Sequence, residues 1–168
     1  MNTLIEPIND QSQLDWNGSH GIVARIKDQF QLDWEGTHGI HHWRRVEANG
    51  LKIARSTGAN TKIVRLFAYL HDARRLNEWT DEGHGARGAQ FAALLLRDGY
   101  FSLSDRDFDC LHYAIQTHSD GLISDSDITV MTCWDADRLD LTRVGITPDP
   151  RYLCTGEGRN LAREARQL

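Results

Sequence analysis

The sequence lacks the features of a secreted or membrane-spanning protein. Its three cysteines, Cys110, Cys133 and Cys154, include no Cys-x-x-Cys pair, which argues against a zinc ribbon and a disulfide framework. Residues 1–10 have no basic segment followed by an apolar one, so we expect no secretory signal. The longest apolar run is far shorter than a membrane span. We therefore expect a soluble, cytoplasmic protein with no membrane partner.

An excess of positive charge is also missing. The chain has 19 Lys and Arg residues against 24 Asp and Glu residues, a formal net charge of -5. General nucleic-acid binding needs a basic excess that neutralises phosphates, so this class is not expected, although a local cationic pocket for one phosphate group is compatible with the charge. With 168 residues, of which 40% are hydrophobic and 26% charged, the chain is expected to form one globular domain.

Alternating strand patterns are absent, whereas apolar residues recur at helical spacing in every long segment. The expected helices cover about 38–55, 60–72, 85–97, 104–118, 125–143 and 157–167. Asn60 or Thr61, Ser104 and the segment 125–127 supply suitable residues for helix starts. We predict an all-α protein that forms a compact helical bundle, with residues 1–14 as an irregular lead-in.

One segment of the chain is repeated. Residues 15–22 (DWNGSHGI) are echoed by residues 33–40 (DWEGTHGI), too few copies for a solenoid. Ser19 and Thr37 are both suitable helix N-caps. The counterpart of His42 in the first copy is an alanine, so we expect any chemistry to belong to the second copy. The echo is compatible with a lid or a dimer contact, which leaves a homodimer open.

The segment 63–72 ends an apolar helical pattern with His71 followed by Asp72. The apolar face presses this polar pair against the interior, where an imidazole beside a carboxylate is costly unless both are satisfied. A divalent metal ion satisfies both as ligands. An isolated pair of this kind is more often a solvated helix end, so the interpretation depends on the rest of the chain.

Further polar residues lie at predicted helix ends or on faces that also carry core residues. They are His42, His84, His118, Asp135 and Asp137. Each has an ordinary alternative, such as a core histidine, a cation at a helix C-terminus or a solvated charge. Together with the His-Asp pair they form an ordered series on different helices. Metal sites in helical bundles are built from facing helices, so the series predicts a metal centre inside the bundle.

These motifs resemble the HD-domain superfamily. The matching residues are His42 in an H-x-x-R-V motif, the His71-Asp72 pair, and Asp137 in the segment 135–140. The usual Ala-Asp-x-Leu form of the family favours Asp137 over Asp135 as the ligand. The resemblance covers about residues 36–145. It implies an all-α HD-like metal-binding core in that range. Residues 1–35 would then be the lead-in and first helix, and 146–168 a C-terminal extension of the same domain.

Two intermediate motifs of the family also match, around His84 and in Ile115-x-x-His118. The resemblance implies one or two divalent ions (Mn, Mg, Fe, Co, Ni or Zn) held by the ligands above. His84 and His118 would either bind the second ion, which Asp72 would bridge, or contact the phosphate. Asp72 is the expected catalytic residue. Three arginines near the ligand motifs are the expected substrate contacts: Arg45, Arg75 and Arg138.

The resemblance implies a metal-dependent phosphohydrolase or phosphodiesterase. Its expected substrate is a small, phosphorylated, nucleotide-like molecule, and metal-activated water would cleave the phosphoester. Two alternatives stay open. The same His and Asp ligands serve a di-iron oxygenase of the HD type, and a non-catalytic module could retain metal for stability or ligand binding.

Overall fold

The described part of the chain is built from helices. A computed structural model describes residues 21–166, and within that range no strand occurs. The α-helices are α1 (Ile22–Gln29), α2 (Ile40–Thr57), α3 (Thr61–Leu70), α4 (His84–Arg97), α5 (Asp105–Thr117), α6 (Ile128–Arg138) and α7 (Gly156–Ala165). The predicted all-α class is confirmed. The predicted lead-in at 1–14, the Ser19 cap and most of the first echo copy lie outside the described residues.

Local sequence explains where most helices begin. Asn60, Ser104 and Asp127 each accept a hydrogen bond from a backbone N–H of the first helical turn that follows. These side chains satisfy N–H groups that have no partner within the helix, as predicted for their positions. The predicted Thr37 cap is wrong. Helix α2 begins after Gly39, which has no side chain to cap it.

The second echo copy forms a tight turn before α2. The Ile40 N–H donates to the carbonyl of Trp34 at 2.8 Å, and a Cβ atom on Gly39 would collide with that carbonyl. The Trp34 ring packs edge-on against Trp43, with 5.3 Å between ring centroids. The turn and this aromatic contact fix the start of α2, and thereby the position of His42.

The helix predicted for 125–143 differs from the observed structure. Helix α6 ends at Arg138, and the chain continues as a 3-10 helix, Leu139–Val144, which stops at the left-handed Gly145 (φ 77°). Hydrophobic spacing does not separate the two helix types over so short a segment, because their periods are close. The tighter turn carries Asp140 beneath His42, with 2.7 Å between Oδ2 and Nδ1.

Helix α3 lies at the centre of the bundle. Seven of its ten residues are buried, and it contacts α2, α4, α5 and α6. Helix α2 approaches closely at Gly50, where a Cβ atom would collide with Val64 and lie 3.3 Å from the Cβ of Ala136. Glycine is a poor helix former. Here the packing of α2 against α3 and α6 requires it.

The C-terminal helix is joined to α6 through a buried carboxylate. Asp135 accepts hydrogen bonds from the backbone N–H groups of Cys154 (2.7 Å) and Thr155 (2.8 Å), and from the Thr155 hydroxyl (2.7 Å). Helix α7 then packs against α2 and α6. None of the described helices has both the length and the apolar character needed to cross a membrane.

Candidate metal centre

Histidines at the ends of different helices meet inside the bundle. His42 lies in the first turn of α2, and His84 is the first residue of α4. His71 and His118 directly follow α3 and α5. All of these side chains are buried, with relative exposures of 0–6%. Helix ends point them toward one common region, where they surround the carboxylate of Asp72.

Each of these imidazoles has its Nδ1 atom next to an oxygen that can only accept a hydrogen bond. The acceptors are Asp140 Oδ2 for His42 (2.7 Å), the carbonyls of Phe67 and Ala68 for His71 (3.2 and 3.1 Å), the Asp81 carbonyl for His84 (2.6 Å) and the Ile115 carbonyl for His118 (2.7 Å). Nδ1 must therefore donate. In the neutral ring this leaves a lone pair on Nε2, directed into the centre.

The Nε2 atoms meet in two pairs. Those of His42 and His71 are 3.0 Å apart, and those of His84 and His118 are 2.9 Å apart. Two lone pairs at this distance repel each other unless a proton or a cation lies between them. The donor arrangement thus fits a cation at each pair.

The carboxylate of Asp72 lies between the two pairs. Its Oδ2 is 3.7 Å from Nε2 of His42 and 3.6 Å from that of His71. Its Oδ1 is 3.3 Å from Nε2 of His84 and 3.7 Å from that of His118. Ligand atoms that bind one ion at about 2.0–2.2 Å lie roughly 3 to 3.5 Å apart. The contact with His84 lies in this range and the other three slightly exceed it, so small shifts would let Asp72 serve both pairs.

Asp137 adds a carboxylate oxygen to the pair formed by His42 and His71. Its Oδ1 is 3.4 Å from Nε2 of His42 and 3.6 Å from Nε2 of His71. These three side chains form one group that can hold a metal ion, and His71, Asp72 and His118 form another. Asp135 faces the start of α7 instead. The structure therefore brings Asp137, and not Asp135, to the imidazoles.

The centre has a strongly perturbed electrostatic environment. Burial alone would raise the pKa of Asp72, but His71 and His118 outweigh it and hold that pKa well below its usual range. Burial would likewise raise the pKa of Asp137, but His71 and His42 outweigh burial and lower that pKa. Burial lowers the pKa of His42, whereas Asp72 and Asp137 overcome burial and raise the pKa of His71. Of these two rings, His71 therefore takes up a proton more readily than His42.

Of the three arginines expected to contact substrate, Arg75 lies at the centre. Its Nη1 is 3.5 Å from Oδ1 of Asp72 and 3.4 Å from Nε2 of His84. Its other side-chain hydrogen bonds go to the carbonyls of Asn77 (3.3 Å) and Trp79 (2.5 Å). These bonds fix the guanidinium beside the second imidazole pair.

The other two arginines contact different groups. Arg45 donates to Asp140 behind His42, with Nε 2.6 Å from Oδ1. Arg138 donates to the Tyr152 carbonyl at 2.9 Å and lies over the Trp134 ring. Among the hydrogen bonds and ion pairs of residues 21–166, neither arginine contacts an imidazole of the centre, Asp72 or Asp137.

Two further groups beside the centre were not expected from the sequence. Asp140 contacts His42, and its position three residues after Asp137 on a helical segment could have suggested that it shares a face. The buried His38 contacts Oε2 of Glu78 through Nδ1 at 2.5 Å. The His38 ring lies 6.3 Å from that of His42. No sequence signal joins His38 to Glu78, because the two are 40 residues apart.

A solved structure shares this architecture. It is described as a predicted HD superfamily hydrolase from an uncultured Thermotogales bacterium. The TM-score is 0.67 at 27% sequence identity, over 86% of this chain and 83% of that one. No protein-family model matches the sequence, and no curated protein matches it. The helical fold and the similarity to this solved structure identify the described residues as an all-α domain of the compact HD type. This likeness supports the resemblance of the sequence motifs to the HD-domain superfamily.

Proposed function

We propose that this protein is a metal-dependent hydrolase that cleaves a phosphoester of a small, nucleotide-like molecule. The observation that carries the proposal is the arrangement of two pairs of facing Nε2 atoms around one carboxylate, Asp72. The similar structure is described as a hydrolase, which supports hydrolysis as the reaction class. The formal net charge of -5 favours a small substrate over a nucleic-acid polymer.

The proposed ligands divide into two positions. His42, His71 and Asp137 would hold one divalent ion, and His84 and His118 would hold a second. Asp72 would contribute one oxygen to each. Two imidazoles and a carboxylate at each position suit first-row ions such as Mn, Fe, Co, Ni or Zn better than Mg, which prefers oxygen ligands alone.

The bound ion would lower the pKa of a water ligand and polarise a phosphoryl oxygen. The protein's own groups orient the substrate. Arg75 has its guanidinium beside Asp72 and His84, where it can bind the remaining phosphoryl oxygens through charge-assisted hydrogen bonds. We assign Asp72 as the catalytic residue because its two oxygens face both positions. Its lowered pKa keeps it ionised, which suits a metal ligand that orients the attacking water.

A di-iron oxygenase is the second candidate. The observation that favours it is the same donor set, because four imidazoles and two carboxylates around two positions suit iron equally well. Such an enzyme would oxidise a C–H bond with dioxygen instead of hydrolysing a phosphoester. Product analysis therefore separates the two candidates.

The test begins with protein purified without chelator. Bound metals are measured by elemental analysis. Phosphate release is measured with nucleoside monophosphates and p-nitrophenyl phosphate, and formation of the nucleoside monophosphate is measured with cyclic nucleotides. Asp72→Ala should lose both metal and activity. His41→Ala is the matched control, because that neighbouring side chain is 52% exposed while His42 is 0% exposed. Bound iron with dioxygen consumption and no cleavage of any of these phosphoesters would favour the oxygenase. Absence of bound metal would refute both enzymes.

A further inference from the structure

Asp140 and Arg45 form a charged pair directly behind His42. Asp140 lies in the 3-10 helix Leu139–Val144 and is 4% exposed. Its Oδ2 accepts from His42 Nδ1 at 2.7 Å. Arg45 donates to both oxygens of the same carboxylate, from Nε to Oδ1 at 2.6 Å and from Nη2 to Oδ2 at 3.1 Å. The carboxylate is thus held from two sides.

This contact distinguishes His42 from the other imidazoles of the centre. The Nδ1 atoms of His71, His84 and His118 face backbone carbonyls, whereas that of His42 faces a carboxylate. A carbonyl is a neutral acceptor whose position is set by its helix. A carboxylate is a stronger acceptor, and its orientation depends on its other partners. For Asp140, the other partners are the Nε and Nη2 groups of Arg45, which both donate to the carboxylate.

We propose that Asp140, oriented by Arg45, is a positioning residue that keeps the Nδ1 proton on His42 and directs its Nε2 lone pair at the metal position shared with His71. The inference rests on the proposed metal role of His42 and deepens it. A carboxylate behind a ligating histidine fixes the ring orientation and strengthens the ligand, and its loss typically lowers metal affinity 10–100-fold. Arg45 then acts through Asp140 and not on the substrate.

The geometry makes a specific prediction for Asp140→Asn. An amide has one accepting and one donating end. The Arg45 Nε–H, at 2.6 Å from Oδ1, makes a shorter contact than Nη2, at 3.1 Å from Oδ2, so the amide oxygen should turn to Nε and leave Nη2 without its acceptor. The amide NH2 would then face Nδ1 of His42 and donate to it. This would move the imidazole proton to Nε2, where it blocks the metal position.

Removing Arg45 should reverse this effect. In the double variant Arg45→Met with Asp140→Asn, nothing holds the amide oxygen on the arginine side. The amide can rotate and accept from Nδ1 of His42 again. The double variant should therefore bind metal more tightly than Asp140→Asn alone. A purely structural role for this pair predicts the opposite, since two losses of stability would accumulate.

The experiment compares wild type, both single variants and the double variant. Co²⁺ and Zn²⁺ affinities are measured by competition with a chromophoric chelator. The His42 tautomer is measured in the metal-free protein by long-range ¹H–¹⁵N spectra, which distinguish protonated from bare ring nitrogens. Asp149→Asn is the matched control, because Asp149 also bonds an arginine, Arg151, through both of its oxygens, while its ion pairs join it only to Arg151 and Arg166 and not to an imidazole of the centre.

We expect Asp140→Asn to weaken binding at least tenfold and to place the His42 proton on Nε2, with partial recovery in the double variant and no change in Asp149→Asn. Unchanged affinity and tautomer in Asp140→Asn would overturn the inference and leave the proposed hydrolase intact. A wild-type protein that binds neither ion would instead overturn the proposed function and the inference with it. The tautomer result separates positioning from a structural role, because it does not depend on metal or stability.

Discussion

The Nε2 atoms of His42 and His71 lie 3.0 Å apart, although each ring already directs its Nδ1 at another acceptor. At this distance the lone pairs of the two nitrogens repel each other unless a proton or a cation lies between them. Asp72 and Asp137 raise the pKa of His71, and burial lowers the pKa of His42, so His71 is the ring of the two that takes up a proton more readily. A metal ion bound to both nitrogens has to displace that proton. The contact therefore couples metal binding to pH.

Metal affinity should increase as the pH rises through the pKa of His71. His71 has a raised pKa in the metal-free protein, so the competing proton is held at low pH and is lost as the pH passes through that pKa. Calorimetry of Zn²⁺ binding in two buffers of different ionisation enthalpy should detect release of about one proton per ion at the first pair. Binding without proton release would contradict the assignment of the proton to His71.

The two carboxylates of the centre should differ in their effect on metal content. Asp72 faces both imidazole pairs, whereas Asp137 faces only His42 and His71. Asp72→Ala should therefore lose all bound metal, and Asp137→Ala should retain the ion at the second pair. Elemental analysis after desalting measures this directly. Equal metal content in the two variants would refute a shared carboxylate.

Asp135→Ala should destabilise the protein without removing metal. The substitution leaves two buried backbone N–H groups and one hydroxyl without their acceptor, at a cost of about 3 kcal/mol in the free energy of unfolding. Urea unfolding gives the stability, and elemental analysis gives the metal content. Asp137→Ala is the natural comparison, since it should lose metal at the first pair. Loss of metal in Asp135→Ala at temperatures where it stays folded would argue that Asp135 also serves the centre.

Gly50→Ala should be destabilising although alanine is the better helix former. The new methyl group collides with Val64, and overpacking of this kind costs about 1–3 kcal/mol. Gly156→Ala is the matched control, because a Cβ atom at the first residue of α7 meets nothing within 4 Å. Thermal unfolding should show a lower midpoint for the first variant only. Equal midpoints would mean that α2 can shift away from α3 at little cost.

The three cysteines should react slowly in the folded protein. Burial and nearby aspartates raise the pKa of Cys110 and of Cys154 to about 12, and burial raises that of Cys133 well above its usual range. The thiolate is the reactive form, so little is present at pH 8. Mass spectrometry after iodoacetamide treatment should find the native protein largely unmodified and the denatured protein modified at all three sites. Rapid labelling of one cysteine in the native state would show that its environment opens.

Local sequence determined most of the secondary structure and the order of the site residues. Helical periodicity and the caps at Asn60, Ser104 and Asp127 act within one or two turns, so they are readable without any knowledge of tertiary contacts. Because helix ends are set by such short-range signals, the histidines at these ends could be recognised from the sequence as candidate site residues. It also explains the errors, since the Thr37 cap and the length of α6 depend on the turn at Trp34 and on a short 3-10 segment.

Tertiary structure decided which atoms meet. The contact between His42 and Asp140 joins residues 98 positions apart, and Arg45 binds the same carboxylate. In each imidazole, Nδ1 faces an oxygen acceptor away from the centre, and for this reason Nε2 is the nitrogen that faces the centre. Periodicity places a side chain on a face of a helix, but the partner that satisfies its charge or its lone pair comes from elsewhere in the bundle. The sequence thus determined the helices and the ligand types, and the packing of those helices determined the centre.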